Sequence, residues 1–304
     1  MPASRATTVD QLKKILGKLF TEQGVASGLT FQPNSDDVII SPFSKCGTTW
    51  LQQIVHGLRT RGSMDFGEIT EVTPWIDAAA DLGQDLTAAQ VAQPRAFKSH
   101  LPFDKVPQGA RYICVVRDPM RALISMYKFF EGWLVEPGSI EFEDFAYGVY
   151  LARTAPAGYW HHLGSWVEQK DNPRVLLLCY EHLQASFASQ LPVIAKFLDI
   201  QLDSELEQIV TKQSSLDYMR SHDSQFDDHF LRNQRDPAMG IPLHGSSSKV
   251  SSSESATNRP EPSEQLINDM QARWEREVTP RIGFRNYQEL KQWFLDKNGS
   301  YVRF

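Results

Sequence analysis

The chain has 304 residues, 41% hydrophobic and 22% charged, an ordinary globular balance at a length that buries a core without staples. A formal charge of −6 excludes a broadly basic nucleic-acid footprint and leaves local clusters of Lys and Arg open. Cys46, Cys114 and Cys179 are odd in number and widely spaced, which excludes a disulfide framework and a zinc motif and points to reduced thiols in a cytoplasmic protein.

No apolar run approaches the roughly 18 residues of a membrane span, and Met1 to Asp10 lacks an apolar signal core. Residues 9–23 predict one amphipathic helix, with Leu12, Ile15, Leu16 and Leu19 on a face. Asp37 to Ser41 is a short β-branched run that predicts a buried strand. A loop, Pro42 to Gly47, separates it from a predicted helix over Thr48 to Val55. Further strands are predicted at Ala96 to His100, Tyr112 to Val116 and Arg174 to Tyr180. The last is near-continuously apolar, as in parallel strands buried on both faces. Asp118-Pro119 predicts a helix start, because Asp caps well and Pro suits the first helical position. Other helices are predicted around Leu191 to Leu198, over 264–279 and over 286–295. Residues 245–263 are Ser-rich, with Gly245, Pro260 and Pro262, and read as a lid loop within one domain rather than a linker. The expectation is a single α/β domain over residues 1–304, with a mostly parallel central sheet flanked by helices.

Three segments carry chemistry. The first is Ser41-Pro-Phe-Ser-Lys-Cys-Gly-Thr-Thr-Trp50, placed between a strand and a helix. A helix N-terminus there presents backbone N–H groups to an anion. Gly47 allows close backbone approach, Lys45 adds a mobile charge, and Thr48 and Thr49 add hydroxyls. It is not a Walker A motif, since Lys45 precedes the only glycine. The second is Lys98-Ser-His-Leu-Pro102. It lies between the other two in chain order, histidine is the usual side chain for proton abstraction near neutral pH, and of the eight histidines His100 is set apart only by this motif. The third is Arg117 at a strand end with Ser125 eight residues on. Ligands of open α/β sheets bind beyond the carboxyl ends of strands, so Arg117 is aimed at the crevice of the Lys45 loop. The adjacent pair His161-His162 lacks the spacing of a helical metal pair, and no acidic metal-ligand cluster is visible, so no metal is expected.

Together these segments resemble the cytosolic, PAPS-dependent sulfotransferase family (PAPS is 3′-phosphoadenosine 5′-phosphosulfate), whose fold is P-loop-NTPase-like. Lys45-Cys-Gly-Thr-Thr-Trp50 is similar to the family's K-S-G-T-T-W loop, with Cys46 in place of Ser. Lys98-Ser-His-Leu-Pro102 is similar to K-T-H-L-P, whose His is the general base. Arg117 to Ser125 is similar to the 3′-phosphate motif. Weaker matches are Tyr180-Glu-His-Leu183, whose Tyr would contact adenine, and Ser214 to Met219, carried by Ser215 and Met219. The resemblance implies His100 as base, Lys45 stabilising the transferring group, and Lys98 lining the acceptor pocket. It implies nucleotide contacts from Lys45, Cys46, Gly47, Thr48, Thr49, Trp50, Arg117, Ser125, Tyr180, Ser215 and Met219. The family's C-terminal R-K-G element has no counterpart. Ser248-Lys249-Val250 stands there, and Lys249, Arg259 or Arg232 would have to fill in. Arg273-Trp274 and Gly283-Phe284 are in keeping with bacterial-type relatives.

The expected activity is transfer of a sulfuryl group from PAPS to a hydroxyl or amine of a small-molecule acceptor, leaving adenosine 3′,5′-bisphosphate (PAP). No nucleic-acid or membrane partner is expected, and a homodimer is left open. Trp75, Phe103, Phe129, Phe130, Trp133, Tyr159 and Trp160 suit an apolar or aromatic acceptor, while Asp77, Asp223, Asp227 and Asp228 leave a cationic one open. The alternatives are a nucleotide-dependent phosphotransferase on a related fold and a non-catalytic nucleotide-binding protein.

Overall fold

Alternate residues of each long strand belong to two different cores, which is why these strands read as continuous apolar runs. The computed structural model describes residues 3–243 and 259–302. Its sheet has five strands in the order β2-β1-β3-β4-β5: β1 Val38–Ile40, β2 Ala96–Lys98, β3 Arg111–Val116, β4 Val175–Cys179 and β5 Ser300–Tyr301. The first four are parallel, and β5 runs antiparallel to β4. On one face Ile39, Phe97, Tyr112, Cys114 and Leu177 join a large aromatic-rich core. On the other, Val38, Ile40, Ile113, Val115, Leu176 and Leu178 pack against Leu51, Ile54, Val55 and Leu58 of the helix Thr48–Thr60.

The predicted strands all form; three are shorter by a residue or two at their ends, and β3 begins one residue earlier, at Arg111. The single helix predicted over 9–23 is instead two. The first, Val9–Leu16, ends at Gly17, and the second, Glu22–Leu29, opens on a Thr21 cap that accepts from the Gly24 N–H. Gly17 and Thr21 are stop and start signals that the apolar periodicity of Leu12 to Leu19 concealed. The helix predicted at Asp118-Pro119 runs over Pro119–Trp133, and the Asp118 carboxylate accepts from the Arg121 N–H as a cap should. The late helices form at Glu264–Glu277 and Tyr287–Leu295. Most of the proposed lid, residues 245–258 with Lys249, lies outside the described residues. No described helix is long and apolar enough to cross a membrane.

Parallel pairing puts the carboxyl ends of β1, β2, β3 and β4 on one edge of the sheet. Ile40 pairs with Lys98 and with Ile113, and Val116 at the end of β3 pairs with Cys179 at the end of β4. Ser41, Ser99, Arg117 and Tyr180 are therefore the first residues past four neighbouring strands.

Candidate active site

The loop after β1 turns sharply to enter its helix. Lys45 has φ 68 and Gly47 has φ 100, both left-handed. A Cβ on Gly47 would stand 3.0 Å from the Tyr180 ring, so glycine serves both the torsion and the close approach. The helix Thr48–Thr60 has no side-chain cap, which leaves its first-turn N–H groups without a side-chain acceptor. Thr48 is buried and its Oγ1 has no hydrogen-bond partner. An uncapped N-terminus beside an orphaned buried hydroxyl is the arrangement an anion completes, so these residues fit a phosphate-type group.

Cys46 does not face this opening. Its side chain is in the core, its N–H closes the turn on the Phe43 carbonyl at 3.0 Å, and burial pushes its thiol up to about 12. The thiol therefore stays protonated at neutral pH, and the position shapes the loop from behind.

Arg117 joins β3 to this loop. Its Nη1 donates to the Lys45 carbonyl at 2.5 Å, and its guanidinium carbon sits 4.3 Å from the centre of the Tyr180 ring. The Arg117 carbonyl in turn accepts from the Tyr159 hydroxyl. Arg117 Nε is buried without a partner, a donor in reserve. Ser125 is half-buried on the helix Pro119–Trp133, two turns beyond Arg117. Sequence reasoning missed Glu181, which anchors this region: its carboxylate accepts from the Asp118 N–H at 3.1 Å and from the Tyr287 hydroxyl at 2.6 Å.

His100 is half-buried, and its Nδ1 lies 2.8 Å from the Pro42 carbonyl. A carbonyl only accepts, so Nδ1 carries the proton and the imidazole lone pair is on Nε2. The contact ties the β2 end to the Lys45 loop. Lys98 is buried, with its Nζ 3.6 Å from the centre of the Trp75 ring. The Nζ of Lys45 stands 3.8 Å from the centre of the Phe129 ring. Each lysine thus lies on an aromatic face, and both rings were noted in the sequence only as pocket candidates.

The weaker sequence matches lie around Trp50. Trp50 donates its indole N–H to the Ser214 carbonyl at 2.8 Å, stacks on Phe187 and meets Tyr180 edge-on. Met219 is buried beside Ile69 and Phe226, a cluster against which Trp50 also packs. Ser215 is exposed and its hydroxyl is engaged in capping: it accepts from the Tyr218 N–H at 3.3 Å and donates to the Lys212 carbonyl at 2.8 Å. Arg232 pairs with Asp227 at 3.2 Å.

Other histidines have structural surroundings. His162 is buried behind Phe43, and burial lowers it to about 3; His56 is lowered to about 4 by burial and by Arg59. His161 lies 3.0 Å from Asp104.

Residues 35–279 match the family model described as a sulfotransferase domain. Human sulfotransferase 2A1 is 28% identical over 204 residues, spanning 63% of this chain and 69% of that one. Bovine sulfotransferase 1E1 is 26% identical over 239 residues, 74% of this chain and 80% of that one. In structure the chain is similar to mouse sulfotransferase SULT7A1, crystallised with PAP, with TM-score 0.61 at 17% identity over 85% of this chain and 90% of that one. It is also similar to retinol dehydratase crystallised with retinol and PAP, with TM-score 0.63 at 16% identity over 89% and 94%. At these identities the structural likeness concerns the fold.

Proposed function

The chain belongs to the sulfotransferase family and is a PAPS-dependent enzyme of sulfuryl transfer; from that premise we propose which of its residues bind the nucleotide and which move the proton. Lys45, Thr48, Thr49 and the first-turn N–H groups after Gly47 bind the 5′-phosphosulfate. Arg117 and Ser125 bind the 3′-phosphate. Tyr180, Trp50, Met219 and the cap residue Ser215 surround the adenine. The carrying observation is the link between the two phosphate ends, the Arg117 guanidinium on the Lys45 carbonyl.

His100 is the general base. Its Nδ1–H is held by Pro42, so Nε2 receives the proton of the acceptor hydroxyl as the acceptor oxygen bonds to sulfur. The bond from sulfur to the phosphate oxygen breaks in the same displacement, and the leaving bisphosphate keeps that electron pair. Lys45 and the loop N–H groups stabilise the charge that collects on the sulfuryl and leaving oxygens. Lys98 lines the acceptor side next to Trp75. Family membership separates this reading from the phosphotransferase alternative.

The acceptor is a small molecule with an apolar body, admitted between Trp75 and Phe129, in a single catalytic domain located in the cytoplasm. Phe20 backs Trp75 and Trp133 backs Phe129. The test is a panel of phenols, aliphatic alcohols and amines incubated with radiolabelled PAPS. Label should move to at least one hydroxyl or amine acceptor and should fail to move when Lys45 is replaced by Ala. Transfer that survives Lys45→Ala undiminished contradicts the assignment.

A further inference from the structure

We propose that Asp77 is a positioning residue: it locks the catalytic segment Lys98–His100 to the acceptor wall at Trp75, so that the base and the wall hold one geometry. This rests on the reading of His100 as the base.

Asp77 sits in the short turn Ile76–Ala78 and is buried at 7% exposure. Both carboxylate oxygens are used. Oδ1 accepts from the Ser99 hydroxyl at 2.7 Å. Oδ2 accepts from the His100 backbone N–H at 3.0 Å and from the Trp75 indole N–H at 3.1 Å. The donors thus come from the residue before the base, from the base itself and from the acceptor wall. Burial raises the Asp77 carboxyl above the ordinary carboxylate range, and the three donors, with the Lys98 charge behind them, oppose that rise.

Trp75 also touches Lys98 and His100 directly. The Trp75 ring lies between two catalytic-segment groups, with the Lys98 Nζ 3.6 Å from its centre and the His100 ring edge-on at 5.2 Å. The backbones are tied as well: Lys98 N–H donates to the Pro74 carbonyl at 2.8 Å, and Trp75 bridges to Lys98 in parallel. Behind the turn the helix Glu22–Leu29 packs so closely that a Cβ on Gly28 would lie 2.1 Å from the Ile76 carbonyl oxygen. The turn is therefore buttressed. The charge-assisted hydrogen bonds of Asp77 transmit that rigidity to His100, whose side chain has its own tether at Pro42. Asp77 has no reason to touch substrate. It acts through His100, Lys98 and Trp75.

The test uses the full-length enzyme with PAPS and an acceptor found in the panel, measuring kcat, acceptor KM and the Kd for adenosine 3′,5′-bisphosphate. Asp77→Asn removes the charge at constant size. It should lower kcat about tenfold or more, since small misplacements of a catalytic group cost that much, while leaving the nucleotide Kd unchanged. Ser99→Ala and Trp75→Phe each delete one donor and should shift kcat in the same direction by less. An Asp77→Asn enzyme with wild-type kcat overturns the proposal, as does a loss of kcat matched by an equal loss of nucleotide affinity. Should Asp77→Asn not fold, undiminished kcat in both single-donor variants overturns it. His100→Ala is the separate control: if it retains turnover, the base reading itself fails, whereas an inactive His100→Ala beside an unaffected Asp77→Asn sinks only the role of Asp77.

Discussion

The Arg117 guanidinium donates to the Lys45 carbonyl at 2.5 Å across 72 residues of chain. This contact joins the end of β3 to the loop after β1 and puts both cations at one crevice. It also ties up Nη1 while leaving Nε buried and unpaired, so a phosphate arriving there completes a donor set that the protein alone leaves open.

Lys45 should matter for rate more than for binding. Charge grows on the sulfuryl and leaving oxygens in the transition state, and removing one preorganised donor costs about 10²–10³ in kcat. Lys45→Ala should show that loss in steady-state transfer assays with a much smaller change in nucleotide Kd. A variant that weakens binding and leaves kcat intact would move Lys45 out of the transferring centre.

Gly47→Ala should damage both stability and binding. Its φ of 100 is strained for any side chain, and the added Cβ would press on Tyr180 at 3.0 Å. A cost of about 1–2 kcal/mol in urea unfolding is expected, with weaker nucleotide binding because the N–H groups after Gly47 lose their aim. Wild-type stability would mean the loop relaxes freely.

How far the site could be read in the sequence depended on how locally each piece is specified. The strands were legible because β-branched runs such as Val38–Ile40 and the apolar run Val175–Cys179 need no outside information. The loop and the Asp118 cap were legible because Gly, Lys, Thr and Asp-Pro carry their reasons in adjacent residues. The strand β5 has two residues and exists only through its pairing with Leu177 and Leu178. The break at Gly17 was hidden because Leu19 continued the apolar spacing. Asp77 looked like an acceptor contact, since its partners Ser99 and His100 lie more than twenty residues away and hydrophobic periodicity says nothing of them. The Trp50 bond to Ser214 spans 164 residues and was equally invisible.

Acid should loosen the fold through two buried histidines. His56 is held at about 4 and His162 at about 3, both below the ordinary 6.5, so each stays neutral in the fold while the unfolded chain takes up a proton. Their stabilisation is full above pH 6.5 and is lost as pH falls from there toward 4, at about 1.4 kcal/mol per pH unit for each group. Asp77, Asp118 and Asp236 are raised by burial and act in the opposite sense as pH falls from their raised values toward the ordinary carboxylate range. The useful measurement is therefore a difference: between pH 6.5 and 4.5 the wild type should lose stability relative to His56→Gln. Parallel curves for the two proteins would show that His56 titrates normally in the fold.

His100→Ala should abolish most turnover, by about 10²–10⁴, with nucleotide affinity preserved, because His100 is tied to the loop at the Pro42 carbonyl, ahead of the phosphate-binding residues Lys45 to Thr49. The comparison of single-turnover transfer with nucleotide titration separates these effects, and undiminished turnover would assign the proton to another group.

Titration calorimetry with adenosine 3′,5′-bisphosphate and with adenosine 5′-phosphate, on the wild type and on Arg117→Ala, tests most directly whether Lys45 and Arg117 hold two ends of one nucleotide. The wild type should prefer the bisphosphate, and Arg117→Ala should lose about 1.5–3 kcal/mol of that preference while binding the monophosphate nearly as before. A wild type with no affinity for the bisphosphate, or an Arg117→Ala variant that keeps the full preference, would contradict the account.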